Sequence, residues 1–207
     1  SISTILIGTS FAKSNEFFSE PFNDLMNNRL TVANRLAETF YGGQAIPRYG
    51  DPSNPIPDAI TDPTNNAIYI ANLGYPIGFG KNNQAVLLPS FLAAYSGQDA
   101  SSSSLGAFKS FPLPNWTIKY TGLMNIPFFK EKFRRFSLIS GYKATYTLNS
   151  FRSNFNYVPS GFNAEGDLNT DAGGNIYNSL LISNVNLIEQ FSPLIKFDFE
   201  LKNSVKL

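Results

Sequence analysis

The last fourteen residues, Leu194 to Leu207, alternate apolar and polar side chains almost without a break. Ile195, Phe197, Phe199, Leu201, Val205 and Leu207 share one parity, interrupted only by Asn203. Lys196, Asp198, Glu200, Lys202, Ser204 and Lys206 occupy the other. Successive side chains of a strand point to opposite faces. The segment is therefore expected to be a strand with one oily face and one densely ionic face. Both signs of charge occur on the ionic face, so neighbours can pair rather than repel. Two environments fit this pattern. A soluble antiparallel sheet lays its oily side on a core, and a membrane barrel lays it on lipid with the ionic side in a wet lumen.

Composition removes many function classes. A net charge of +1 with 15% charged residues gives no basic footprint for nucleic acid. The chain has no Cys and no His, which excludes disulfide frameworks, thiolate nucleophiles, Ser-His-Asp relays and most zinc sites. Carboxylate chemistry stays open, but the 15 Asp and Glu are spread thinly. Nineteen Phe and ten Tyr, with loops of Asn, Gly and Ser, point to an all-β protein. No stretch approaches the roughly 20 apolar residues of a transmembrane helix, which says nothing of barrels, whose strands need only about 9–11. Ser1 opens in strand-like sequence without a Met, and Leu207 falls inside a strand pattern. The chain is accordingly expected to be a piece of something larger.

Residues 1–8 form a short β-branched run, read as the end of a strand. Phe22, Leu25, Met26, Leu30, Ala33, Leu36, Ala37 and Phe40 then recur at helical spacing. Ser19 suits the cap of that helix, Pro21 its first turn, and Gly42-Gly43 its end, which predicts a helix near 20–41. Five prolines between Pro47 and Pro63 predict irregular structure. A mixed apolar segment, Ala67 to Leu88, and a Gly/Ser loop ending at Ser104 follow. Residues 9–111 thus form one long excursion.

After Pro114 the pattern is cleanly β, with strands expected at 115–124, 132–157, 176–190 and 194–207. A basic turn around Pro127 joins the first two. Beyond Ser150 the apolar parity slips by one, to Phe151, Phe155 and Tyr157, which predicts a bulge or departure from the sheet. Phe191-Ser192-Pro193 is read as a tight turn into the last strand. The connections then alternate long and short, as in up-and-down outer-membrane barrels. Pattern alone leaves both a membrane barrel and a soluble β-sandwich open.

Three runs carry a resemblance to a known family. One is Gly74-Tyr75-Pro76-Ile77-Gly78-Phe79-Gly80-Lys81-Asn82-Asn83-Gln84-Ala85-Val86-Leu87-Leu88-Pro89. A second is Pro112-Leu113-Pro114-Asn115-Trp116-Thr117-Ile118-Lys119-Tyr120-Thr121-Gly122-Leu123, continuing to Phe128-Phe129-Lys130. The third joins Phe136-Ser137-Leu138 and Gly141-Tyr142-Lys143-Ala144-Thr145-Tyr146-Thr147, extended by Glu189-Gln190-Phe191-Ser192-Pro193-Leu194-Ile195. From about Asn27 onward the chain resembles the C-terminal half of the SprA/Sov family, giant outer-membrane proteins of type 9 secretion and gliding motility.

The resemblance implies an all-β fold with a minor helical loop, its antiparallel up-and-down strands forming part of a very large transmembrane β-barrel. Residues 1–8 and 112–207 would be barrel strands and 9–111 a long extracellular loop. The implied location is the outer membrane of a Gram-negative bacterium, and the implied role is a translocon pore for folded proteins. Implied partners are exported cargo, other translocon subunits at a lateral opening or periplasmic plug, outer-membrane lipid and the remainder of the parent polypeptide. No nucleic acid, cofactor, metal or catalysis is expected. Lys196, Asp198, Glu200, Lys202 and Lys206 become candidate lumen-facing residues, and Ile195, Phe197, Phe199, Leu201 and Val205 candidate lipid-facing ones.

Plainer readings stand beside these. The charged parity also suits a solvated sheet face. The Gly74–Gly80 run lacks phosphate-loop spacing, so its glycines are expected to serve tight turns. Arg134 and Arg135, beside Lys130 and Lys132, fit either lipid phosphates or a solvated turn. The helix fits either a gate or simple packing under a loop. A secreted β-sandwich binding glycan or protein is the alternative function. A carboxylate hydrolase using Asp51 with Asp58, or Asp167 with Asp171, lacks any accompanying base.

Overall fold

The computed structural model describes residues 17–51, 66–106 and 115–202. The expected strand at 1–8, much of the proline-rich stretch, and Val205 and Lys206 lie outside these residues. The chain forms two compact units: Ser1–Phe111 with Ser150–Ser183, and Pro112–Asn149 with Asn184–Leu207. Each is described by itself.

The first unit is built on α1, Glu20–Tyr41, whose limits agree with the capping signals. The Phe22 amide donates to the Ser19 hydroxyl, and Gly42 closes the helix at a φ of 60°, its amide donating to the Glu38 carbonyl. A single helical turn and a half, α2, spans Asn66–Ala71, and α3 spans Gln84–Ser96. Sequence pattern missed α3 because Pro89 sits inside it. The helix forms nonetheless: Asn83 caps its start by accepting from the Ala85 amide, Gly97 ends it at a φ of 64°, and Pro89 is buried. Val32, Ala33 and Ala37 of α1 meet Val86 and Ala93 of α3 in one solvent-free cluster with Phe79 and Ala100. Small side chains at these positions let the helices approach closely, so the packing is tight and intolerant of added volume. The serine-rich loop is held to α1 by Arg35, which donates to the Ala100 and Ser103 carbonyls at 2.7 and 2.8 Å.

Asparagine and glutamine side chains stitch this helical layer to residues 171–182. The Gly80 amide donates to the Asn175 side chain at 3.1 Å, and the Asn178 amide group donates to Asn83 at 3.0 Å. Tyr49 donates to the Gly174 carbonyl at 3.1 Å. Buried polar groups must be paired to be tolerated, and here the pairing partners come from sequence more than ninety positions away. As the motif reading expects, Gly74 and Gly78 take φ values of 81° and 85° in the turns of the Gly74–Gly80 run.

The second unit consists mainly of an antiparallel sheet, in which residues 150–153 and 180–183 are counted with the first unit. Its central strand is β2, Phe133–Ser153, flanked by β1, Trp116–Tyr120, and by β3, Leu180–Phe191, with β4, Lys196–Leu201, also paired to β2. Between β1 and β2, the expected basic turn is a 3-10 turn at Gly122–Asn125 followed by α4, Pro127–Lys132, with Pro127 in its first turn. The parity slip of β2 coincides with Ser150, the single non-glycine residue at positive φ among those described, at 54°.

One expectation is overturned. Phe191-Ser192-Pro193 does not reverse the chain. Leu138 and Ile139 pair with β1 and with β4 at once, so those two strands lie on opposite edges of β2. That puts β4 on the edge that β3 already occupies, as the continuation of β3 beyond an interruption. The interruption faces Gly141: the Ser192 amide donates to the Gly141 carbonyl, and the Gly141 amide donates to the Pro193 carbonyl, both at 2.9 Å. Two residues opposite one define a bulge. A Cβ at position 141 would stand 2.6 Å from the Ser192 carbonyl oxygen, so only glycine admits the bulge this close.

Burial lifts the Tyr41 phenol to about 12 from its ordinary 10.0, helped by nearby Tyr49. Between those values the unfolded chain ionises first, so stability is constant below the ordinary value and falls as pH rises through this window. Urea unfolding of the helical signal is expected to show lower stability at about pH 11 than at about pH 9, with Tyr41→Phe flattening the dependence. The same assay is expected to give Val86→Ala a loss of about 1–3 kcal/mol.

Candidate functional site

The ladder between β2 and β4 sorts side chains into two faces. Phe136 pairs with Phe199 and Leu138 with Phe197, while Ser137 pairs with Asp198 and Ile139 with Lys196. Across β1, Trp116 pairs with Tyr142, Ile118 with Ser140 and Tyr120 with Leu138. One face therefore carries Trp116, Ile118, Tyr120, Phe136, Leu138, Ser140, Tyr142, Phe197 and Phe199. The other carries Thr117, Lys119, Arg135, Ser137, Ile139, Lys143, Lys196, Asp198 and Glu200. The alternation expected of the last strand holds wherever the strand is described.

Aromatic rings dominate the first face. Phe129, Phe133, Phe136 and Phe199 form a patch with centroid separations from 4.9 to 6.2 Å. Trp116, Tyr142 and Phe191 form a second group at 5.4 to 6.4 Å. Edge-to-face and offset contacts of this kind hold rings in place beyond what burial alone gives. The face is only partly covered: Phe136 and Tyr142 are buried, but Phe197 is 58% exposed, Ile118 56% and Tyr120 52%. Phe199 and Leu201 are half-buried. Among the described residues of this unit, no second sheet covers them.

The other face is charged and carries two ion pairs. Arg134 meets Glu200 at 3.2 Å and Arg135 meets Asp198 at 3.1 Å. A register shift between Phe133 and Arg135 allows two consecutive arginines to reach carboxylates on neighbouring positions of one face. These arginines are thus part of the sheet, not of the turn beside Lys130 and Lys132. Their odd-numbered neighbours on β2, Ser137, Gly141 and Lys143, were a legible sign of that face. Lys196 and Lys202 are exposed, and Asp198 and Glu200 half-buried. Ile195, 60% exposed, lies in the segment before β4, where the ladder does not fix its face.

At the bulge lies a shallow groove of about 440 Å³, lined by Asn115, Trp116, Thr117, Gly141, Tyr142, Lys143, Gln190 and Ser192. Its lining mixes amide and hydroxyl groups and one cation with two aromatic residues. Elsewhere, Asp171 accepts from the Gly173 and Asn175 amides at 2.8 and 2.9 Å, so its carboxylate organises a turn. Asp58 is outside the described residues. No group of three or more acidic residues that could hold a metal ion occurs among the described residues.

No protein-family model matches this chain, and no curated protein matches it.

The arginine–carboxylate pairs allow a local test of wetness. A double-mutant cycle on Arg135 and Asp198 is expected to give a coupling below about 1 kcal/mol, shrinking as salt is raised. A buried, water-free pair would instead cost about 3–5 kcal/mol on loss of one partner.

Proposed function

We propose that this chain is a segment of an outer-membrane β-barrel wall, with its aromatic face toward lipid and its ionic face toward a water-filled lumen. The observation that carries the reading is the pairing, on one sheet, of an aromatic face with Ile118, Tyr120 and Phe197 more than half exposed and an opposite face of arginines, lysines and carboxylates. Lipid can cover the first without a second protein layer, whereas a soluble sandwich needs an inner sheet there. A hydrated polar wall suits passage of polypeptide, because it offers no apolar surface for the passing chain to adhere to.

Connection lengths support this reading: the β1–β2 connection is short and the β2–β3 connection longer, and barrel strands alternate short and long connections in this way. No helix among the described residues is long and apolar enough to cross a membrane.

The resemblance to the SprA/Sov family then specifies the role: part of the type 9 translocon pore, exporting folded proteins and serving gliding motility. The partners of this role are cargo, further translocon subunits at a lateral opening or periplasmic plug, outer-membrane lipid and the rest of the parent polypeptide. The role is passive, with no bond made or broken by these residues.

Carbonate or urea extraction of membranes is expected to leave the parent chain in the detergent-soluble fraction, and release into the aqueous phase would point instead to a secreted sandwich. Phe197→Arg is expected to impair insertion by about 2–4 kcal/mol if the residue lies at mid-bilayer depth, and Glu200→Arg to be milder.

A further inference from the structure

Charge is not spread evenly over the charged face of the sheet. Asp198 and Glu200 stand near the start of β2, where Arg135 and Arg134 engage them. Farther along β2 the register sets out a different pattern. Ile139 stands between Lys119 of β1 and Lys196 of β4, and Gly141 stands between Thr117 and Ser192. Antiparallel stepping from these pairs brings Asn115 and Gln190 to either side of Lys143. Lys119, Lys143 and Lys196 are all exposed. Three cations thus surround one spot, and like charges gathered on a sheet face cost stability. A ligand of opposite sign relieves that cost.

The spot they surround is the groove at the bulge. Its floor is Gly141, where a Cβ would stand 2.6 Å from the Ser192 carbonyl oxygen and 3.6 Å from the Thr117 hydroxyl. The Asn115 side-chain oxygen accepts from the Ala144 amide at 2.8 Å, which fixes that carboxamide and leaves its NH2 group as the donor end. Amides and hydroxyls of this kind match the carbonyls of a polypeptide main chain. The charges sit at the two ends: Lys143 and Ile139 are four residues apart, about 13 Å along the strand, and Lys119 and Lys196 lie on the strands flanking Ile139, about 10 Å apart. No single phosphate spans those distances. An extended chain repeats the same spacing, with side chains on one side about every 7 Å.

We infer that this face binds an acidic, extended stretch of polypeptide across Gly141, with carboxylates meeting Lys143 at one end and Lys119 and Lys196 at the other. The inference deepens the pore-wall reading, on which it rests for a chain to be passing, and gives the wall a sign at this place. Clefts lined by one sign of charge raise the local concentration of the opposite one, so acidic stretches dwell here longer than neutral ones.

Photocrosslinking on the intact parent protein in bilayers tests this, with p-benzoylphenylalanine replacing Thr117 or, separately, Gln190, and biotinylated hexaglutamate or hexaglutamine as probe. Hexaglutamate is expected to be captured about 10-fold more than hexaglutamine, the preference that three exposed charge contacts of ordinary strength sum to. Joint Lys119→Gln, Lys143→Gln and Lys196→Gln is expected to abolish the preference without changing the yield of membrane-embedded protein. Arginine at the same three positions is expected to keep it. Equal capture of the two peptides, or a preference that survives loss of the three lysines, overturns the site. Displacement of hexaglutamate by lipopolysaccharide at equal concentration overturns the polypeptide assignment. Membrane extraction of the same preparation reports separately on the pore-wall reading: charge-dependent capture by a protein released into the aqueous phase would keep the site and remove the pore.

Discussion

Everything in the sheet follows from the register between β2 and β4, which sets Phe136 against Phe199 and Ser137 against Asp198. Because the side-chain period of a strand is two, a slip of one residue would move every phenylalanine to the ionic face and every charge to the aromatic one. The register is pinned from several directions. Ring contacts among Phe133, Phe136 and Phe199 hold one face, the pairs Arg134–Glu200 and Arg135–Asp198 hold the other, and the bulge at Gly141 fixes where β3 hands over to β4. The surface pairs add little stability by themselves. Their weight lies in specifying which parity carries the charges.

The two units solve different physical problems. The helical unit buries small apolar residues between α1 and α3 and satisfies its polar atoms with asparagine and glutamine side chains. It is a conventional packed core. The sheet unit has few buried apolar side chains among those described, Phe136, Tyr142 and Ala144, and leaves Ile118, Tyr120 and Phe197 more than half exposed. A strand set without a covering layer is marginal in water, whereas in a bilayer the same arrangement meets a solvent as apolar as its side chains. This contrast within one chain is what the pore-wall reading explains.

Much of this was legible in the sequence, and the failures have local causes. The limits of α1 were announced by Ser19, Pro21 and Gly42, whose roles depend only on near neighbours. The two faces of β4 followed from parity alone, and the parity slip in β2 falls at the positive φ of Ser150. The break between β3 and β4 was misread because Ser-Pro looks the same in a reversal as in a bulge. What decides is Gly141, fifty positions earlier, accepting the extra residue. Helix α3 was hidden by Pro89, since propensity counts the lost hydrogen bond and cannot count the contact with α1. Gln84 carried no sequence signal at all: its side-chain bonds to the Leu180 carbonyl and the Ile182 amide are visible only once those residues are beside it.

The central claim is that adjacent positions of β4 see opposite solvents. Nitroxide labels attached singly at Phe197 and at Asp198 in the parent protein, reconstituted into bilayers, read this directly by their collision rates with molecular oxygen and with a water-soluble nickel chelate. The account predicts strong oxygen relaxation and little chelate relaxation at position 197, and the reverse at position 198. Comparable access of the chelate to both positions would contradict it.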